Sequence, residues 1–261
     1  MMQILIILLI SYVLLCIFVY FYQERMIFFP KKLAADFKFQ FDQVYEEVSI
    51  PVDGIKLNGL LLKADSSKGL VFYLHGNAGG LDSWGEIAGT YTSLGYDVFM
   101  LDYRGYGKSG GRILNEDQFY SDVQLAYQKL KERYPENRII VVGYSIGTGA
   151  ASKLASTNNP RMLILQAPYY SMMDMMRKSY RILPPFLLKY RFENYKHLQT
   201  TKAPVYIFHG RNDEVIYSGS SEKLKPFLKP SDRVTFIEGM GHNGMNEDSV
   251  YKEEIRKLLI D

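Results

Sequence analysis

The sequence predicts an α/β fold built on a mostly parallel sheet. Two observations carry this. Short, continuous apolar runs recur along the chain at Leu70–Leu74, Val98–Leu101, Ile139–Val142, Met162–Leu165, Val205–Phe208 and Val234–Ile237. They do not alternate, as expected of strands buried on both faces of a parallel sheet. Most are separated by stretches of helical character: Ile87–Leu94, Asp117–Arg133, Ser145–Ala155 and, last, Asn246–Ile260. Strand and helix in alternation give helices on both faces of one sheet, with the functional region beyond the carboxyl ends of the strands.

The elements before the first buried run are of a different kind. Met1–Tyr22 is apolar apart from Gln3 and Ser11, and about 20 such residues suffice to cross a bilayer as a helix. Tyr20 and Tyr22 followed by Arg25 read as an interfacial aromatic belt with a basic flank. A cleaved signal peptide is the rival reading, but the run starts without Lys or Arg and ends in bulky Phe18, Tyr20, Phe21 and Tyr22, where a cleavage site wants small residues. A core helix, the other rival, is rarely apolar all round. We therefore expect a single transmembrane anchor over residues 1–24 and a globular domain over 25–261. Arg25, Lys31 and Lys32 follow the span, which places the globular domain on the cytosolic side by the positive-inside rule. Beyond a connector at Phe28–Phe41, Val44–Ile50 and Ile55–Leu62 read as a strand pair turning at Asp53–Gly54.

Composition narrows the class. With 47% hydrophobic and 23% charged residues the chain is globular. Its formal charge of +3 and the lack of a basic stripe give no nucleic-acid partner. The one cysteine, Cys16, lies in the apolar run, so neither an intramolecular disulfide nor a cysteine zinc site can form. One segment breaks the strand–helix rhythm. Between Leu165 and Val205 stand Met172, Met173, Met175, Met176 and Pro184–Leu188. This reads as a small helical cap over about residues 169–200, with a plain packing helix as the alternative, and flexible Met side chains suit a surface that adapts to an acyl chain.

The chemistry is carried by Gly143-Tyr144-Ser145-Ile146-Gly147, which follows a strand and opens a helix. This is the Gly-x-Ser-x-Gly context in which a serine sits exposed on a strained strand-to-helix turn. Flanking glycines remove side chains that would clash, and the helix N-terminus aims backbone N–H groups at a developing oxyanion. A serine needs a base. Of His75, His197, His209 and His242, only His242 lies past the last predicted strand, on a Gly239-Met240-Gly241 loop that can reach the serine. His197 falls in the cap and is expected at the surface. His209 is expected to order its own loop. The base needs an acid to fix its tautomer; Asp213 follows the penultimate strand, Glu214 is its neighbour and rival, and Asp232 comes too early. The order Ser145, Asp213, His242 is that of α/β-hydrolases. His75-Gly76-Asn77-Ala78-Gly79-Gly80 supplies a loop for a second oxyanion donor, so the backbone N–H groups of Asn77 and Ile146 are the expected oxyanion hole, with His75 ordering the loop. No Gly-Lys-Ser/Thr follows that loop, which excludes a phosphate cradle. Asp102-Tyr103-Arg104-Gly105-Tyr106-Gly107 closes another strand, where a buried Arg–Asp arrangement is expected to brace the site.

Together these segments resemble the membrane-anchored α/β-hydrolase family typified by the yeast bud-emergence protein. That group includes the alpha/beta-hydrolase domain-containing proteins, some of them protein depalmitoylases, and overlaps the serine aminopeptidase-like hydrolases. The similarity extends to Arg25-Met26-Ile27-Phe28-Phe29-Pro30 and to Arg191-Phe192-Glu193-Asn194. One departure is Ala167-Pro168-Tyr169-Tyr170-Ser171, where many relatives begin serine-proline-phenylalanine. The resemblance implies a serine hydrolase acting on carboxylic esters or thioesters through an acyl-enzyme on Ser145, with no metal or organic cofactor. The anchor and the Met-rich cap point to lipid or acyl substrates. A peptidase or amidase with the same triad is the alternative, although the expected cap carries only Asp174 and Glu193 as acids. A non-catalytic membrane scaffold is a further one.

Overall fold

A computed structural model describes residues 1–260. Helix α1 runs over Met2–Ile27, past the expected end at 24. It is long and apolar enough to cross a membrane, with a mean hydropathy of 3.0 in its most apolar window and none of that window buried. Eight strands form one sheet: β1 (Tyr45–Val52), β2 (Ile55–Leu62), β3 (Leu70–Leu74), β4 (Asp97–Leu101), β5 (Ile139–Tyr144), β6 (Met162–Gln166), β7 (Val205–Gly210) and β8 (Arg233–Ile237). Their spatial order is β1-β2-β4-β3-β5-β6-β7-β8. The first two are antiparallel to each other, β2 is antiparallel to β4, and all other pairs are parallel.

Each expected strand is present, and several run one or two residues further than the apolar runs. The β1–β2 turn has Asp53 at φ 45° and Gly54 at φ 75°, the left-handed pair that a two-residue hairpin needs to match strand twist. Strands β3, β4, β5 and β6 are buried throughout, which is why their sequences do not alternate.

Helix α2 (Glu116–Lys131) starts where the Asn115 side chain accepts from the Gln118 amide at 2.8 Å. The Gln118 side chain returns a bond to the Leu114 amide at 2.8 Å. Phe119, Val123, Ala126, Tyr127 and Leu130 face the sheet, the three- and four-residue spacing of one helix face. Helices α3 (Gly147–Thr157), α4 (Met172–Ser179), α5 (Asn194–Thr200), α6 (Gly219–Leu224) and α7 (Ser249–Ile260) complete the layers.

Two expected helices differ. Ile87–Leu94 is not one helix; short turns at Leu81–Trp84, Gly85–Ala88 and Gly89–Thr92 follow one another. Gly85 sits against the Phe41 ring so closely that a Cβ would lie 2.2 Å from it, and Gly and Thr are poor helix formers. The last helix begins at Ser249 rather than Asn246 because Asn246 is engaged elsewhere. Its side chain accepts from Gln166 at 3.0 Å and donates to the Tyr73 hydroxyl at 3.1 Å, while Asp248 bonds the Tyr251 amide.

Candidate active site

Strand β5 delivers Ser145 at its carboxyl end, and the chain turns at once into α3. Ser145 has φ 52°, a left-handed conformation that costs a non-glycine residue of order 1–3 kcal/mol. The neighbours hold it there. The Ser145 amide donates to Gln166 O at 2.9 Å, and the Ser145 carbonyl accepts from the amide and hydroxyl of Thr148. Crowding explains the glycines. A Cβ on Gly147 would lie 2.1 Å from the Leu74 carbonyl oxygen, and one on Gly143 would lie 2.6 Å from Ala151 Cβ.

The structure brings Ser145, His242 and Asp213 together. His242 Nε2 lies 3.1 Å from Ser145 Oγ, and His242 Nδ1 lies 2.8 Å from Asp213 Oδ2. All three residues are buried, Ser145 being 6% exposed. The His242 loop is held by the Tyr144 hydroxyl, which donates to the His242 carbonyl at 2.6 Å. Asp213 Oδ1 accepts from the Val215 and Ile216 amides at 2.9 and 2.8 Å. Its Oδ2 also receives His209 Nε2 at 3.3 Å. Burial by itself would raise the Asp213 carboxyl, but the bonds from His209, His242 and Ile216 outweigh it and hold the group well below the usual carboxylate range. Asp213 is therefore an anion at neutral pH, facing the ring nitrogen opposite the serine. Its rival Glu214 is exposed, with its carboxylate beside Gly241. Asp232 bonds the Val205 amide and Lys229.

The other histidines have different roles. His209 is fully buried, its Nε2–H donating to Ile216 O at 2.7 Å while Nδ1 accepts from Ser221 Oγ at 2.6 Å. It braces the Asp213 loop from behind. His75 is also fully buried, and burial pushes its pKa down to about 4, so the ring is neutral. His75 Nδ1–H donates to Gly76 O at 2.7 Å. In a trans peptide the following N–H points the opposite way from that carbonyl, so the His75 ring sets the direction of the Asn77 N–H. The next carbonyl, Asn77 O, accepts from the Phe29 amide at 2.8 Å and the Tyr106 hydroxyl at 2.7 Å. Leu74 pairs with Gly143 across β3 and β5, so the Asn77 loop and the Ile146 amide at the start of α3 share one end of the sheet. His197 is not at the surface as expected. It is half-buried against the Tyr120 ring, and burial pushes it down to about 4.

The expected Arg–Asp brace exists but with partners the motif does not contain. Arg104 pairs with Asp122 at 2.6 and 2.9 Å and with Asp53 at 2.7 Å. Asp102 accepts instead from the Leu81 amide at 3.1 Å and, at 3.4 Å, from the Lys108 amide. Burial without a cation pushes its carboxyl up to about 7.

The segment expected to form a cap consists of α4, a turn at Pro185–Leu187 and α5. Ser171 Oγ accepts from the Asp174 amide at the start of α4. Met172 and Met175 are half-buried against the core. Asn194, at the start of α5, donates to Thr148 Oγ1 at 3.1 Å and Tyr169 O at 2.8 Å, which ties the cap foot to the turn that holds Ser145. Sequence reasoning did not single out Tyr144, Thr148 or Asn194 for this. They act through single hydroxyl or amide groups and leave no pattern.

Fold and geometry together define an α/β-hydrolase, an enzyme class. The family model described as "Serine aminopeptidase, S33" matches residues 65–198, and the chain belongs to that family. An uncharacterized protein of Mycobacterium tuberculosis is 28% identical over 252 residues, 94% of this chain and 89% of the relative. Alpha/beta hydrolase domain-containing protein 17B of Homo sapiens is 31% identical over 205 residues, 74% and 67% of the two chains. The 17C protein of Mus musculus is 30% identical over 203 residues, 75% and 61% of the two chains. Among solved structures, an esterase of Pyrococcus furiosus has a TM-score of 0.67 at 22% identity, covering 89% of this chain and 95% of that one. Est1E of Butyrivibrio proteoclasticus, bound to ferulic acid, also has a TM-score of 0.67, at 18% identity, covering 82% and 96%. These likenesses concern the fold.

Proposed function

We propose that this chain is a serine esterase, anchored in a membrane by residues 1–24, whose domain over 25–261 cleaves lipid or acyl esters or thioesters. The observation that carries the reading is the unbroken relay from Asp213 through His242 to Ser145, at 2.8 and 3.1 Å. In this mechanism Ser145 Oγ attacks the acyl carbonyl while His242 Nε2 takes its proton. Asp213 fixes the tautomer and stabilises the imidazolium. The backbone amides of Asn77 and Ile146 receive the oxyanion, each such donor being worth roughly 10²–10³ in turnover. His242 then returns its proton to the leaving alcohol or thiol. Water, deprotonated by the same nitrogen, releases the acid. Arg25, Lys31 and Lys32 after the span support a cytosolic domain.

The family description favours one other reading, an aminopeptidase. Recognition of a free amine calls for an available carboxylate in the cap. Asp174 is occupied by Lys223 and the Tyr217 hydroxyl, both at 2.6 Å. Glu193 is occupied by Lys196 and the Tyr195 hydroxyl. The ester reading is therefore preferred. The test is hydrolysis of p-nitrophenyl esters from acetate to palmitate by the full-length protein in detergent, beside Ser145→Ala. Activity that rises with chain length and vanishes in the variant supports the proposal. Activity confined to acetate removes the lipid substrate, and aminoacyl amides cleaved in preference to every ester would install the aminopeptidase.

A further inference from the structure

The cap does not stand clear of the anchor helix. A strap running from Tyr180 to Leu188, between α4 and α5, lies along it. Gln23, buried in a helix that is otherwise mostly exposed, clamps one end: its Nε2 donates to Leu187 O at 2.9 Å and its Oε1 accepts from the Lys189 amide at 2.8 Å. The Tyr12 hydroxyl donates to Ile182 O at 2.6 Å at the other end. Glu24 adds Lys189 at 3.1 Å. Tyr12, Cys16, Val19, Gln23 and Ile27 fall on one helix face by their three- and four-residue spacing. Cys16 and Val19 are half-buried on that face, whereas most of the apolar helix is exposed. From Tyr12 to Gln23 the helix rises roughly 16 Å, so the strap shares the helix's surroundings over about half a bilayer core.

The strap's composition suits those surroundings. Tyr180, Ile182 and Phe186 are 53%, 69% and 77% exposed, a largely apolar edge with the exposed Arg181 set within it. From Met175 to Phe192 there is no Asp or Glu, while Arg177, Lys178, Arg181, Lys189 and Arg191 are present. Exposed aromatic and aliphatic side chains among cations are the chemistry of an element that enters an anionic lipid surface, and long Lys and Arg stems let the charges reach the phosphates. Irregular backbone is excluded from lipid where its polar groups go unpaired, and here part of them are paired. Pro184 and Pro185 carry no N–H. The amides of Leu183, Leu187 and Leu188 bond to Tyr180, Pro184 and Pro185 carbonyls, and that of Lys189 bonds to Gln23.

We propose that the Tyr180–Leu188 strap is a second membrane-inserted element, with Ile182 and Phe186 in the acyl layer of an anionic leaflet. The proposal rests on the reading of α1 as a membrane span. It places the cap of the site at the lipid surface: the strap continues into α5, whose Asn194 bonds Thr148 beside Ser145. The test uses full-length protein in vesicles of phosphatidylcholine and phosphatidylglycerol, with Trp84, the one native tryptophan, as the baseline. Phe186→Trp reports the strap and Leu9→Trp the span. The quenchers are acyl-brominated lipid and aqueous iodide. Insertion predicts that both added tryptophans lose most of their emission to brominated lipid and little to iodide. If Leu9→Trp is quenched by brominated lipid while Phe186→Trp is quenched by iodide, the strap is in water and the proposal falls while the span stands. A Phe186→Trp signal shielded from both quenchers means that protein, such as a second copy of the chain, covers the strap, which also overturns it. If brominated lipid quenches neither, the span reading fails and takes the strap with it.

Discussion

Replacing Asp213 by Asn tests the relay with a nearly isosteric change. The amide oxygen will keep the place of Oδ1, because the Val215 and Ile216 amides at 2.9 and 2.8 Å donate there and would clash with an NH₂ group. The NH₂ group then occupies the place of Oδ2, 2.8 Å from His242 Nδ1. It can only donate, so Nδ1 must give up its proton and Nε2 must carry one. Nε2 is the atom 3.1 Å from Ser145 Oγ, and a protonated nitrogen cannot accept the serine proton. In the Ser-His-Asp template this inversion of tautomer lowers kcat by roughly 10⁴. At 1.36 kcal/mol per tenfold that is about 5.4 kcal/mol of transition-state stabilisation. The assay is kcat/KM on p-nitrophenyl butyrate, with circular dichroism to show that the variant folds. Glu214→Gln is the control; the exposed Glu214 makes no bond to His242, so its activity stays unchanged. A folded Asp213→Asn enzyme that retains more than about a tenth of wild-type turnover would refute the reasoning, since no base of inverted tautomer could sustain it.

Three other outcomes follow from the same geometry. Gly147→Ala places a Cβ 2.1 Å from the Leu74 carbonyl oxygen and 2.7 Å from that of His75; overpacking against backbone costs about 1–3 kcal/mol or more, read as a lower Tm with activity lost in parallel. His75→Phe keeps the ring packed on Tyr103 but releases Gly76 O, so the Asn77 amide is no longer aimed. The expected signature is a fall in kcat with KM and Tm less affected, and an unchanged kcat would remove His75 from the positioning of the loop. Asp102 gives a pH effect. Burial holds its carboxyl up to about 7, against about 3.9 for a free aspartate, so between these values the native state keeps a proton that the unfolded state has released. Stability from this group is therefore present at low pH and lost as pH rises from roughly 4 to 7, by about 4 kcal/mol in all. His75 and His197, each pushed down to about 4, act in the opposite sense as the pH rises towards 6.5, so the informative quantity is the variant-minus-wild-type difference. Asp102→Asn is expected to gain on wild type from pH 4 to 7 in thermal melts, and a constant difference would mean that Asp102 does not titrate there.

What the sequence makes legible is what local physics decides. Leu70–Leu74 and Ile139–Val142 announce buried strands because both faces must be apolar, and Gly143-Tyr144-Ser145-Ile146-Gly147 announces its turn because no larger residue than Gly fits beside Leu74 O and Ala151. The resemblance carried by these motifs agrees with the family match. Legibility ends where a partner is chosen at long range. Arg104 sits in a conspicuous motif, yet it pairs with Asp53 and Asp122 rather than Asp102, and nothing in the charge pattern ranks one carboxylate over another. His197 looked like a surface residue of the cap because its burial is supplied by Tyr120, from a distant helix. Gln23 is the sharpest case. Gln23 stands just past the apolar run and carries no motif, but its two polar ends meet the Leu187 carbonyl and the Lys189 amide, more than 160 positions away. A buried amide with both ends satisfied is costly to leave unmade, by about 1–3 kcal/mol, so the pair of bonds fixes where the cap lies against the helix. That Ser145, Asp213 and His242 come together could be read from their order in the chain. Where the segment between β6 and β7 lies depends on contacts such as Gln23, which only the folded chain brings together.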